Sequence, residues 1–192
     1  MKIRLWFLVK GNCRLLVYRK ANVIVSEGAQ IKIGTVFRFN RKWTSFDPFP
    51  SLLVLEKRAR LIVLKDFSIF SGSRVYINEG AVLELGSGYI NNNANIACFE
   101  RIQIGHGVAI SDNVTIRDSD NHTILSSTHA MTQPIVIGNH VWIGMNVTIL
   151  KGVCIGDGCI IAAGSVVSRS IPSGCLAGGV PARVLKEGVQ WE

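Results

Sequence analysis

The sequence carries no Cys-x-x-Cys pair, no apolar run long enough to cross a membrane, no arginine–glycine tract and, in its first sixty residues, no helical periodicity. Each absence excludes something. The five cysteines (Cys13, Cys98, Cys154, Cys159, Cys175) are odd in number and unpaired in spacing, which argues against a zinc site and a disulfide framework. A reducing, cytoplasmic setting fits them. The longest apolar run near the start, residues 3–9, is interrupted by Arg4 and falls far short of the roughly 20 residues a span requires. No small-residue cleavage site follows it, so a first strand or coil is expected there and a signal peptide is not. Without basic tracts interleaved with glycine or aromatics, nucleic acid is not an expected partner.

What is present points to one packed domain. The chain has 192 residues, 48% of them hydrophobic and only 18% charged, enough to bury a core. The formal charge is +8, and the basic residues concentrate between positions 2 and 65, in clusters such as Arg41-Lys42 and Lys57-Arg58-Ala59-Arg60. Such a balance suits an anionic partner, either a phosphorylated cofactor or a membrane surface.

An even beat organises the chain. Ile90, Ile96 and Ile102 stand six apart. After two inserted residues Ile104, Ile110 and Ile116 continue, and after a longer gap come Ile137, Ile143, Ile149, Ile155, Ile161 and Val167. Four residues after most of these sits a smaller side chain: Ala94, Val108, Val114, Val141, Val147, Val153, Cys159, Ser165. Glycine often follows at once, as at Gly105, Gly138, Gly144 and Gly156. A period of six smears around a helix, and a plain strand has no use for the glycines. It fits a short strand plus a corner, repeated, with both marked positions inward and glycine or asparagine at the corner. Three sides close a coil, and stacked coils make a parallel β-helix.

Upstream, "VIVSEGAQIKIG" and "VYINEGAVLELG" match at Val, Glu-Gly-Ala and the closing glycine. They begin 52 residues apart, close to three coils of about 17 to 18 residues. Val63, Ile69 and Val75 keep the spacing. Residues 35–60 keep it poorly and read as distorted coil with an excursion near Asp47 to Pro50. The expected organisation is therefore one domain over 1–192: irregular N-terminal coils at 1–60, regular coils at 61–171 broken by a loop at 117–136, and a cap at 172–192. A short helix is expected through "ARVLKE".

Between Ile116 and Ile137 the beat stops, and two of the four histidines lie in the break. A purely structural spacer has little reason to interrupt itself with a long polar loop. The stretches "VWIGMNVTILKGVCIG", "IGDGCIIAAGSVV" and "GGVPARV" resemble the hexapeptide-repeat acyltransferases, most of all the galactoside, maltose and xenobiotic acetyltransferase group. That group includes enzymes that O-acetylate sugars for bacterial surface polysaccharides. The resemblance is strongest over residues 85–185. It implies an all-β, left-handed parallel β-helix, a homotrimer with sites in the grooves between subunits, and acetyl-CoA as acyl donor with no metal required.

The resemblance also assigns residues. His122, in "RDSDNHTI", matches the family's general base, although Asn121 stands where a smaller residue is usual. A sugar hydroxyl is a poor nucleophile near neutral pH, and an imidazole can take its proton as the oxygen attacks the thioester. Asp118, Asp120 or a backbone carbonyl could hold the other ring nitrogen. His129 is expected near the acceptor mouth, and His106 and His140 as outward turn residues. Asn91 matches a position beside the acyl group and acceptor. Trp142 matches a residue expected to pack on the pantetheine arm. The backbone N–H near Gly144 and Met145 matches the oxyanion donor, Ala163 and Gly164 match a segment along the arm, and Arg169 and Arg183 match basic positions at the nucleotide end, with Ser168 beside them as a further candidate contact. An arginine fork suits phosphate. No nucleophilic cysteine is needed: Cys159 reads as core, and Cys98 and Cys154 as outward strand residues.

Other functions compete. An N-acetyltransferase acting on an amino sugar shares every motif, and a non-enzymatic trimeric scaffold shares the fold. A γ-type carbonic anhydrase needs three converging histidines, a spacing that positions 106, 122, 129 and 140 do not match. Serine acetyltransferases add a helical N-terminal domain, which residues 1–60 do not suggest. The basic N-terminal region suggests peripheral contact with a membrane-linked saccharide.

Overall fold

A computed structural model describes residues 13–123, 125 and 130–192. The chain winds as a left-handed parallel β-helix of three faces. Face one stacks strands Arg14–Val17, Val36–Arg41, Phe67–Phe70, Gly88–Ile90, Val108–Ile110, Trp142–Ile143, Ile160–Ile161 and Cys175–Gly179. Face two stacks Ala21–Val25, Ser51–Leu55, Arg74–Ile77, Asn95–Cys98, Thr115–Arg117, Thr148–Ile149 and Val166–Val167. Face three stacks Gln30–Ile33, Arg60–Val63, Val82–Leu85, Arg101–Ile104, Ile135–Ile137 and Cys154–Ile155. The first corner joins face one to face two, the second joins two to three, and the third joins three to one.

The six-residue beat is the inward column of each face. On face one Phe39, Ile69, Ile90, Ile110, Ile143 and Ile161 lie one above another in register. On face two Ile96, Ile116, Ile149 and Val167 do the same. All are buried, as are the intervening Val108, Val114, Val141, Val147 and Val153. Each coil thus covers the apolar floor of the next while its backbone bonds to both neighbours, so core and ladder form together.

The coils shorten along the axis. Leu53 pairs with Val75, 22 residues on, Ile96 with Ile116, 20 on, and Ile149 with Val167, 18 on. The early sides carry two inward residues on longer strands, such as Leu53 and Leu55, whereas a late two-residue strand carries one. Ile102 and Ile104, two apart in the beat, sit on one such longer side, both inward.

Three expectations are corrected here. The matching stretches at Val23 and Val75 are two coils apart, because Val23 pairs with Leu53 and Leu53 with Val75. Their spacing combines a wide coil with one lengthened by an excursion at residues 42–50. Cys98 is inward and fully buried, since the four-residue strand Asn95–Cys98 turns both Ile96 and Cys98 to the core. Finally, "ARVLKE" is a strand: Ala182–Glu187 runs antiparallel to Cys175–Gly179 and closes face one. Six residues alone cannot sustain a helix, and the open edge of face one offers their backbone groups ready partners.

Truncating a column residue leaves a cavity that rigid neighbouring coils cannot fill. Ile110→Ala is expected to cost about 2–5 kcal/mol in urea unfolding. Ile24→Ala, at an outward position 53% exposed, should stay within about 0.5 kcal/mol.

Candidate active site

The break in the beat leaves the second corner between Thr115–Arg117 and Ile135–Ile137, and its neck is closed. Ser119 bridges antiparallel to Thr132, the Asp120 N–H donates to the Met131 carbonyl at 3.0 Å, and the Gln133 N–H to the Asp118 carbonyl at 3.0 Å. Outside the neck, Lys151 pairs with Asp120 and the Thr132 hydroxyl donates to Glu100 Oε2 at 2.8 Å. His122 stands just beyond this neck, exposed, after Asn121 turns the chain at φ 62°. The loop is thus held at its base and open where the imidazole lies. His129 lies outside the described residues.

Asp118 is part of the base. It follows Arg117, which pairs with Ala97, so its side chain takes the inward place above Cys98. There its carboxylate accepts from the N–H groups of Phe99 (2.7 Å), Glu100 (2.8 Å) and Arg101 (2.9 Å). It ties the corner of one coil to the loop of the next. Burial pushes its carboxyl above the ordinary value, with those three donors pulling the other way. Burial, reinforced by the Asp118 charge, likewise pushes the Cys98 thiol up, so that sulfur is no nucleophile. Both aspartates weighed as orienters of His122 are engaged elsewhere: Asp118 with the three N–H groups, Asp120 with Lys151.

The first corner gathers five of the candidate residues. Asn91, Gly144, Met145, Ala163 and Gly164 lie on successive turns along it. These turns bond to one another: the Asn92 N–H to Asp112 Oδ1 at 3.1 Å, the Asn146 N–H to the Asp112 carbonyl at 3.0 Å, and the Gly164 N–H to the Met145 carbonyl at 2.8 Å. Gly144 permits this stacking, because a Cβ there would sit 2.7 Å from the Ala163 nitrogen and 2.9 Å from the Ile161 oxygen. Its own N–H is committed to the Ile161 carbonyl at 2.8 Å. The Met145 N–H has no backbone acceptor among the described residues, and its side chain is exposed. Asn91 Oδ1 is the one buried side-chain oxygen or nitrogen without a partner among the described residues. A buried acceptor in that state favours a ligand that brings a donor.

The remaining candidates lie elsewhere. Ser168 and Arg169 are exposed on the second corner, below the loop. Trp142 points outward from face one, and Arg183 is exposed on the closing strand. One chain therefore spreads the candidate residues over two corners and a face.

Trp142 has a neighbour that the motifs did not reveal. The C-terminal tail folds back so that Trp191 stacks on His140, ring centroids 4.2 Å apart and planes 3° from parallel. The Trp191 indole N–H donates to the His140 carbonyl at 2.9 Å, and His140 Nε2 lies 2.8 Å from the Trp191 carbonyl. Trp191 also meets Trp142 at 6.1 Å, tilted. A lone tryptophan in a polar tail was the only signal in the sequence.

The chain is similar to known acyltransferases. The family described as bacterial transferase hexapeptide (six repeats) matches residues 134–169. The chain is 39% identical over 117 residues to galactoside O-acetyltransferase of Escherichia coli K12, covering 59% of this chain and 58% of that protein. Over these repeats the chain resembles the hexapeptide-repeat acyltransferases. It is also 34% identical over 131 residues to polysialic acid O-acetyltransferase of Escherichia coli O1:K1, covering 66% of this chain and 40% of that one. The crystal structure of the polySia-specific acetyltransferase NeuO shares the fold, at TM-score 0.57 and 24% identity over 91% of this chain and 90% of that one. This hexapeptide-repeat chain spans between about two fifths and three fifths of the length of those two curated relatives.

Asp118→Asn would set an amide N–H against one of three backbone donors. The expected cost is about 1–3 kcal/mol, read as a lower Tm, with faster amide exchange at Phe99, Glu100 and Arg101.

Proposed function

We propose that this protein transfers an acetyl group from acetyl-CoA to a sugar hydroxyl by direct attack, with His122 as general base. The observation that carries the reading is the closed neck, which leaves the exposed imidazole of His122 at the long break in the late coils. The imidazole takes the hydroxyl proton as the sugar oxygen bonds to the thioester carbonyl carbon. The Met145 N–H, which has no backbone acceptor among the described residues, would receive the negative charge that develops on the carbonyl oxygen. Collapse breaks the carbon–sulfur bond. The thiolate of coenzyme A takes the proton from His122, leaving an O-acetyl sugar and free coenzyme A. Asn91 Oδ1 accepts from a hydroxyl of the acceptor or an amide of the pantetheine arm.

Ala163 and Gly164 are short enough for the arm to lie along the first corner, and Trp142 walls it. Ser168, Arg169 and Arg183 hold the nucleotide phosphates. Because these groups sit on different sides of one chain, the reading requires a homotrimer in which one copy's second corner, at the loop, faces the stretch of another's first corner from Asn91 to Gly164. A saccharide acceptor of the surface-polysaccharide class is supported by the relatives, which are named for galactoside and polysialic acid. Five free cysteines fit a cytoplasmic location.

A coenzyme A release assay across mono- and oligosaccharides, with products mapped by NMR, tests the reaction. An ester at a hydroxyl is expected, and an amide from amino sugars alone would replace this reading with N-transfer. His122→Ala is expected to lower kcat by about 10²–10⁴-fold while the variant keeps its mass in solution and its calorimetric affinity for coenzyme A. Unchanged turnover would remove His122 from the mechanism.

A further inference from the structure

The N-terminal end of the first corner carries a surface that acetyl transfer does not use. Its core is the excursion at residues 42–50. Phe46 at the tip is 91% exposed, Trp43 65% and Phe49 52%. Large aromatic rings so exposed and so close together mark an interaction site. The loop is tied down. Trp43 stacks on Phe70 at 4.6 Å, and the Arg41 guanidinium lies 5.1 Å over the same ring. Lys42 Nζ donates to the Asp47 carbonyl at 2.6 Å, the Phe49 N–H to Asp47 Oδ1 at 3.1 Å, and the Ser71 hydroxyl to Asp47 Oδ2. The rings are therefore displayed on a fixed support.

Cations surround them. Arg19 and Lys20 form the turn on the coil before, with Lys20 Nζ 3.4 Å from the Pro48 carbonyl. Arg41 and Lys42 open the excursion, and Arg74 lines a hollow with Phe49, Pro50 and Asn93. Asp47 is the excursion's one acid, and its carboxylate is already hydrogen-bonded. The imbalance extends along the axis: residues 1–74 hold 15 Lys and Arg against 4 Asp and Glu, and residues 75–192 hold 6 against 9.

We infer that this corner docks on an anionic lipid bilayer. Trp43, Phe46 and Phe49 enter the interfacial layer, and Lys20, Arg41 and Arg74 reach the lipid phosphates. Cations alone would serve any polyanion. The apolar tip favours a bilayer, whose interface takes rings out of water, over a polyanion that offers charge alone. No helix among the described residues is long and apolar enough to cross a membrane. Farther along this corner stand Asn91, Gly144 and Met145. A docked chain would thus present the acyl-transfer edge close to a lipid-linked saccharide. That consequence rests on the transferase reading; the docking does not.

Sedimentation of the full chain with phosphatidylcholine vesicles, with and without phosphatidylglycerol, tests the proposal. The chain is expected to follow only the anionic vesicles, and less so at high salt. Lys20→Gln with Arg74→Gln should weaken partition roughly 25-fold, about fivefold for each cation. Phe46→Ser should weaken it severalfold at unchanged Tm, since that ring packs on nothing to speak of at 91% exposure. Failure of the wild type to sediment with anionic vesicles overturns the docking. So does binding that both variants retain. Loss in the cation variant but not in Phe46→Ser, with dextran sulfate competing, would make the corner a polyanion site and also overturn it. Acetyl transfer to a soluble saccharide, measured on the same variants, reports separately on the transferase reading and should not change.

Discussion

A coil of this molecule has no interior of its own. Its inward side chains leave water only when the next coil lies over them in register, and its N–H and C=O groups find partners only in the same arrangement. Burial and hydrogen bonding therefore demand one geometry, and neither can relax without losing the other. The corners inherit this rigidity. That is why Gly144 must be glycine, with the Ala163 nitrogen only 2.7 Å from where a Cβ would be. It is also why an aspartate can sit at an inward position, because Asp118 lands beside three N–H groups whose positions the coil beneath has fixed.

The late coils were legible in the sequence because each side holds one strand and one corner, so six residues repeat without remainder. Every aliphatic position in that beat is buried. The early coils hid themselves. Sides with two inward residues do not repeat in six, and a coil lengthened by an excursion makes two turns as long as three regular ones. "ARVLKE" misled for a different reason. Its composition tolerates a helix, and the decision belonged to the free edge of face one, which no local pattern reports. Cys98 was misplaced by the same widening of its coil.

The candidate site divides similarly. His122 was legible as the residue that fills a break, and the corner residues were legible as a family pattern. The commitment of Asp118 to backbone N–H groups was not, since the sequence shows only two aspartates near a histidine. Neither was the stacking of Trp191 on His140, which joins residues 51 apart. Interactions that depend on which coil lies above which become readable only when the perimeter of each coil is known.

The shrinking perimeter, from 22 residues to 18, makes the tube a taper. Its stories are not interchangeable floors. A narrow coil moved toward the wide end would leave unfilled space under Phe37 and Phe39, and a wide one moved the other way would force side chains into one another. Copying a coil fails even at the narrow end, where the span falls from 18 residues between Ile143 and Ile161 to 16 between Ile161 and Ala177. New surface has to come from lengthening a corner, as both excursions do.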